Sequence, residues 1–310
     1  MSDSAIHAIA GAAGGIVAMT ATYPLIFIST RAAVETKNEQ KSTYQAALDI
    51  IKREGILGLY SGLNSSLLGI AITNGVYYYF YERSREAILR SRSGSKALST
   101  VESMLTGMVA GSATTLISNP IWVVQTSQAV RTMGSDRQPP VSGKLGFLET
   151  VQSILAKDGI GAFWRGIGPA LVLVINPIIQ YTAFEQLKNF LIQRRTAKLR
   201  AAGAAATAVA VLSDLDFFFL GAFSKLIATS ATYPYIVVKS RLQAGSANAL
   251  KYKSSMDGLL TILKEEGVEG LYKGIGSKVV QSVLTAAILF AGQRRIYEIT
   301  KAAIIPVSKT

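Results

Sequence analysis

Polar side chains interrupt the long apolar runs of this chain at Thr20, Thr22, Asn74, Thr106, Asn119, Asn176, Gln180, Lys225, Lys278 and Gln281. Inside a membrane such groups face a bundle interior or a water-filled cavity, because hydrocarbon cannot solvate them. Lys225 and Lys278 lie too deep in their runs for the ammonium to reach a headgroup layer, so they fit an anion. The amides of Asn74, Asn176 and Gln180 carry donor and acceptor together and fit the edge of a polar planar group. Taken singly, each amide also fits an interhelical hydrogen bond. This chemistry is recognition, not bond making. The one histidine, His7, stands near the N-terminus, and there is no Cys. The sequence holds no nucleophile–base pair, metal-ligand cluster or Walker loop, so it does not read as an enzyme or an ATP-driven pump.

The elements that position these groups are six segments of mainly apolar and small residues, at about 5–33, 63–88, 99–130, 167–193, 215–243 and 275–301. Each reaches the roughly 20 residues needed to cross a hydrocarbon core. Composition agrees: 49% of residues are hydrophobic, 16% are charged and mean hydropathy is +0.32, whereas soluble domains carry about 25% charge. The net charge of +13 has two readings. Nucleic-acid binding is disfavoured, because the basic residues are spread between apolar runs and no nucleic-acid module appears. A basic membrane protein meeting anionic lipid or an anionic solute fits better. The N-terminal residues show neither an Arg-rich amphipathic stretch nor a signal-peptide pattern, which places any targeting information inside the chain.

One motif occurs three times, at intervals of roughly a hundred residues. Its copies start at Pro24, Pro120 and Pro234, late in the odd-numbered segments, where proline removes a helix hydrogen bond and favours a kink. Each proline is followed by an acidic-Gly pair and then aromatic-x-Gly: Glu54-Gly55 to Tyr60-Ser61-Gly62, Asp158-Gly159 to Trp164-Arg165-Gly166, Glu266-Gly267 to Tyr272-Lys273-Gly274. Between paired segments lie short amphipathic stretches, Tyr44–Lys52, Phe147–Leu155 and Met256–Lys264, with the spacing of surface-lying helices. Glycines such as Gly107 and Gly111 read as ordinary close helix packing. Residues 196–213 read as a low-complexity mobile linker. The repeats divide the chain at about 1–95, 96–205 and 206–310.

These three motif copies resemble the signature of the mitochondrial carrier family, and the resemblance covers nearly the whole chain. It implies an all-α membrane protein: six transmembrane helices in a threefold pseudo-symmetric barrel with three short surface helices. It also implies alternating-access transport of one anionic metabolite, usually by exchange, by a monomer without metal or redox cofactor. Thr232–Gln243, Ser118–Val124, Val174–Gln180 and Lys278–Ala287 resemble the branch that exchanges adenine nucleotides across the peroxisomal membrane and so supplies ATP for fatty-acid activation and β-oxidation there. Nearby branches carry coenzyme A, flavin nucleotides, NAD or folate, some in the mitochondrial inner membrane, and their bulky nucleotides remain alternatives.

The chain departs from the family at the gates. The family's acids two residues after each proline are replaced by Ile26, Trp122 and Ile236. The basic positions five residues on are Ser29, Gln125 and Lys239. On the opposite face, Tyr81-Glu82 with Arg85 and Phe184-Glu185 with Lys188 survive, while the third copy offers Gln293. The resemblance therefore implies one interhelical gate pair, Glu82 with Lys188, with Gln125 and Gln293 offering neutral hydrogen bonds.

In this family the solute sits on the even-numbered helices, about two turns past the motif's last glycine. Counting on gives Gly69, Leu173 and Gln281, and the same helical faces add Thr73, Asn74, Tyr77, Asn176, Pro177, Gln180, Lys278 and Thr285. Lys278, with Arg31, Lys225, Lys239 and Arg241, would neutralise phosphates; Lys239 and Arg241 equally fit lipid headgroups. Tyr77 or Tyr78 would stack on a base, although the run Tyr77–Tyr81 also fits lipid-facing aromatics. The basic run Arg194, Arg195, Lys198 and Arg200 reads as an internal peroxisomal address for the membrane import machinery. A rival reading keeps the fold as a transport-inactive membrane scaffold; a basic, polar cavity argues against it.

Overall fold

The computed structural model describes residues 3–34, 45, 48, 49, 51, 52, 55–91, 97–130, 146–203, 205, 207, 209–245, 252–285 and 288, with side chains from residue 15 onward except that of Asp214. Among the described residues all regular structure is helical. The helices are α1 (Asp3–Val34), α2 (Leu63–Arg90), α3 (Thr100–Val130), α4 (Phe147–Asp158), α5 (Ile167–Val172), α6 (Asn176–Ala201), α7 (Asp214–Ala244), α8 (Ser255–Leu271) and α9 (275–285). Tight 3-10 turns cover Ile56–Tyr60, Ile160–Trp164 and Leu173–Ile175. The stretches Gly15–Val34, Ile56–Arg90, Ile160–Ala201 and Leu215–Ala244 are long and apolar enough to cross a membrane. The third expected span is helical as α3, in which Ser118, Asn119, Gln125 and Gln128 are buried. The sixth begins as α9, and its continuation past 285 lies outside the described residues, as does most of the first amphipathic stretch.

Local chemistry sets the helix starts. Ser99 and Glu102 exchange backbone and side-chain hydrogen bonds ahead of α3, and Ser213 and Asp216 do the same ahead of α7. Each reciprocal pair satisfies backbone donors that the first helical turn leaves open. Ser254 accepts from the Asp257 N–H at the start of α8.

The three prolines lie inside α1, α3 and α7. A proline leaves the carbonyl four residues earlier without its helical donor. For Pro120 that carbonyl belongs to Leu116, and the indole N–H of Trp164 donates to it at 3.0 Å. The fourth expected span is not one continuous helix. Pro177 cannot donate to Leu173, and the Asn176 N–H takes that carbonyl instead, which produces the 3-10 turn between α5 and α6.

Two glycines in each motif copy carry backbone geometry that other residues resist. Gly55, Gly159 and Gly267 have φ of 72°, 75° and 74° with ψ of 179°, 178° and −169°, a region essentially reserved for glycine. Gly267 accordingly breaks α8 near its end. The closing glycines Gly62, Gly166 and Gly274 have φ of 85°, 74° and 81° and turn the chain into the next helix.

The chain divides into two compact bodies. The first comprises Met1–Leu25, Ile179–Ser230 and Lys278–Thr310; the second comprises Ile26–Ile178 and Ala231–Ser277. Within the second body the three motif turns pack in rotation. Ser61 donates to the Gln128 carbonyl on α3. A Cβ on Gly166 would stand 3.0 Å from the Lys239 carbonyl oxygen on α7, and one on Gly274 would stand 2.8 Å from the Ser29 carbonyl oxygen on α1. Each repeat's turn thus leans on the proline helix of the next repeat, and the third leans on the first. The second and third turns are also tied to their own repeats: Asn119 donates to the Arg165 carbonyl and Tyr233 to the Lys273 carbonyl, both from the position before the proline.

In the first body, residues expected to begin a mobile linker are ordered. Helix α6 runs on to Ala201, Thr196 accepts from the Ala210 N–H at 3.0 Å, and Arg195 makes two 2.6 Å bonds to Asp216. The low-complexity composition of the segment gave no sign of these anchors.

Candidate functional site

The second body holds most of the residues expected on α2 and around Asn176. Gly69 is buried because the indole of Trp122 lies over it; a Cβ there would meet the Trp122 ring at 3.3 Å. Thr73 accepts from the Trp122 indole N–H at 3.2 Å. Asn74 is exposed, and exposed Tyr77 stacks on Tyr81 with 5.9 Å between centroids. Leu173 is half-buried in its 3-10 turn and Pro177 is exposed. Asn176 donates to Thr232 of α7 at 2.8 Å, so its amide makes the interhelical bond that the sequence left as an alternative. Gly107 and Gly111 of α3 do serve close packing, under the Tyr77 hydroxyl and the Val174 side chain.

Of the cations here, Arg31 is buried with its guanidinium 5.4 Å from the Phe27 centroid, and Lys239 is half-buried. Arg241 corrects the expectation of a phosphate or headgroup contact. It is 2% exposed, forms a two-pronged pair with both Glu266 oxygens, and donates from Nε to the Ala33 carbonyl. Its charge is committed to holding α7 against α8 and α1. Burial pushes the Glu266 carboxyl up, but the hydrogen bonds and charge of Arg241, backed by Lys273 at 3.6 Å, outweigh that and hold it below its ordinary value. Asp158 pairs with Arg165 at 2.9 Å, so the motif acid serves its own turn in the second repeat too.

Gln125 is buried, with its Oε1 3.5 Å from the Thr126 hydroxyl oxygen. A buried network that the sequence did not reveal starts beside it. Thr126 donates to Gln243, Gln243 donates to Asn119, and Asn119 donates to the Phe163 and Arg165 carbonyls. Asn119 and Gln243 signalled themselves only as polar residues in apolar helices. Glu82 pairs with Arg85 at 3.3 Å within α2.

The first body holds the rest. Lys188 pairs with Glu185 at 2.6 Å and lies over the Phe184 ring, so Glu82 and Lys188 each have a partner on their own helix. Gln180 and Lys225 are half-buried, and Gln293 lies outside the described residues. On α9, Gln281 donates to Thr285 at 2.9 Å, and Thr285 meets Thr22 of α1 at 3.2 Å. Thr22 spends its proton on the Ala18 carbonyl. Thr285 must therefore donate to Thr22, and Gln281 must donate to Thr285. That bookkeeping fixes the amide orientation and leaves Gln281 Oε1 buried without a donor among the described residues. Lys278 stands one turn earlier on the same helix.

The family model for mitochondrial carrier proteins matches this chain three times, at residues 2–92, 96–195 and 210–306. The chain belongs to the mitochondrial carrier family. Its fold is the all-α carrier fold, and as a family member it is a transport protein rather than an enzyme. It is 38% identical to the peroxisomal nicotinamide adenine dinucleotide carrier of Arabidopsis thaliana, over 94% of each chain. It is 33% identical to the peroxisomal membrane protein PMP47B of Candida boidinii, over 93% of this chain and 84% of that one. It is 30% identical to the peroxisomal adenine nucleotide transporter 1 of Saccharomyces cerevisiae, over 92% of this chain and 88% of that one. This carrier is a multi-pass protein of the peroxisomal membrane.

Proposed function

We propose that this carrier exchanges adenine nucleotides, ATP against AMP or ADP, across the peroxisomal membrane. The observation that carries the reading is on α9, where Lys278 and Gln281 stand one turn apart in a membrane segment. A phosphate matches the ammonium, and the adenine amino group is a donor of the kind Gln281 Oε1 lacks. Lys225, in the same body, supplies a further intramembrane cation. Arg241 is omitted from this set because Glu266 holds it. The yeast relative's name supports the same substrate class.

A second reading is NAD, favoured by the name of the Arabidopsis relative at 38% identity. Both solutes share adenosine and phosphate, and the side chains named above recognise that shared part. The purified chain in liposomes separates them. Vesicles loaded with AMP or ADP should take up labelled ATP faster than empty vesicles. Faster exchange with NAD or coenzyme A and none with ATP would move the assignment to the dinucleotide class. No uptake of any nucleotide would favour the transport-inactive scaffold.

A further inference from the structure

We propose that Arg194 and Lys198, on the exposed face of α6, clamp the phosphate of an anionic membrane lipid. Both residues are exposed, and so is Phe190 one turn earlier. Spacing of four residues sets all three on one face of the helix. Phe190 lies in the stretch Ile160–Ala201, which is long and apolar enough to cross a membrane. An apolar ring followed by two cations, one turn apart each, matches a lipid followed from its acyl chains to its headgroup. The Cβ atoms of Arg194 and Lys198 are about 6 Å apart at this spacing, so both side chains can meet one phosphate, the guanidinium through paired N–H groups.

Two contacts hold the end of α6 so that this face turns outward. Arg195 makes two 2.6 Å bonds to Asp216 at the start of α7. Thr196 accepts from the Ala210 N–H at 3.0 Å. These clips grip the helix about 100° and 200° round from Arg194, and every residue involved belongs to the first body. The ion pair also marks the membrane border, because Leu215, next to Asp216, opens the crossing stretch Leu215–Ala244. Arg194 is level with that border and Lys198 stands about 6 Å further along the axis, which is the depth of headgroups. Asp216 is spent on Arg195 and on the Ser213 cap. Among the described residues neither Arg194 nor Lys198 forms an ion pair. Of this basic run, Arg195 is therefore structural, and Arg194 with Lys198 keeps its charge for an external anion. The clamp does not depend on which solute is carried.

Lipid-dependent fluorescence of the full chain tests the proposal. The chain has no cysteine, so a fluorophore on Ala197→Cys, at an exposed position between the two cations, reports on this place alone. The labelled protein goes into phosphatidylcholine vesicles that carry a spin-label quencher, beside the glycerol, on either phosphatidylserine or phosphatidylcholine. Labelled phosphatidylserine should quench more strongly at low salt, and potassium chloride should remove the difference. Arg194→Gln with Lys198→Gln should lower the preference about fivefold for each cation lost. The same charge loss at Lys157 and Lys264, exposed on α4 and α8, should leave it unchanged. Should the double variant fail to fold, the salt titration with both cations present decides alone. Equal quenching by the two lipids, a preference that salt leaves intact, or an equal effect of the control pair overturns the clamp. So does inorganic phosphate that removes the preference at an ionic strength where chloride does not, which would mark a site for free anions. Absence of any lipid preference, with loss of peroxisomal residence in Arg194→Gln/Lys198→Gln, overturns it as well and gives the pair to the import machinery.

Discussion

Arg241 and Glu266 show why a residue's type and spacing tell less than its surroundings. A basic residue seven positions past a motif proline is visible in the sequence, but its depth is not, because burial depends on α8 and α1 closing over it. Removing one partner of a buried pair strands the other charge, at about 3–5 kcal/mol. Glu266→Ala should therefore lower thermal stability sharply, whereas a phosphate contact at Arg241 would have left Glu266 irrelevant. Acid should act in the same direction. The folded carboxyl lies below its ordinary value, so its contribution is complete above about pH 4.3 and disappears as pH falls through the depressed value. A Glu266→Gln chain should lack that acid-dependent loss. Lys278→Ala should differ in kind, with stability close to wild type and half-saturation for phosphate-bearing solutes raised roughly tenfold or more, the loss of one charge-assisted contact. An unchanged half-saturation would remove Lys278 from the site.

At the scale of elements, the proline helices were legible and their repair was not. The sequence places Pro120 in an apolar segment, and physics demands a substitute donor for the Leu116 carbonyl. Nothing in the spacing names Trp164 as that donor, because the pairing depends on where the turn after α4 folds back. Trp164→Phe should cost about 1–3 kcal/mol, the cost of leaving a carbonyl unsatisfied. In a Pro120→Ala background the restored backbone N–H can bond the Leu116 carbonyl, so the same change should cost less. A double-mutant cycle on thermal unfolding reads the coupling, and two penalties that simply add would show that the indole bond contributes nothing. The same limit explains α6. Its composition past Thr196 resembles a linker, but Thr196 and Arg195 find partners at Ala210 and Asp216 only once α7 is in place.

At the scale of the molecule, the threefold repeat was readable because each repeat needs the same glycine geometry in the same place, and glycine alone tolerates it. What the spacing left open was which helix each turn meets. In the second body the answer is rotational: turn to next proline helix, with the third returning to the first. A closed ring of this kind couples the repeats, so a fault at one turn should be felt by the whole transport cycle. Gly274→Ala tests this. It adds a positive-φ strain of about 1–2 kcal/mol and sets a methyl group 2.8 Å from the Ser29 carbonyl oxygen, which the backbone must move to relieve. Gly166→Ala meets the Lys239 carbonyl at 3.0 Å and should behave alike. Gly203→Ala provides the contrast, with φ of 92° and open space around the added methyl. It should lose a little stability and keep normal exchange, while the two motif variants lose most exchange at temperatures where they remain folded. Equal exchange by all three would mean that the turns serve folding alone and that the ring has no part in transport.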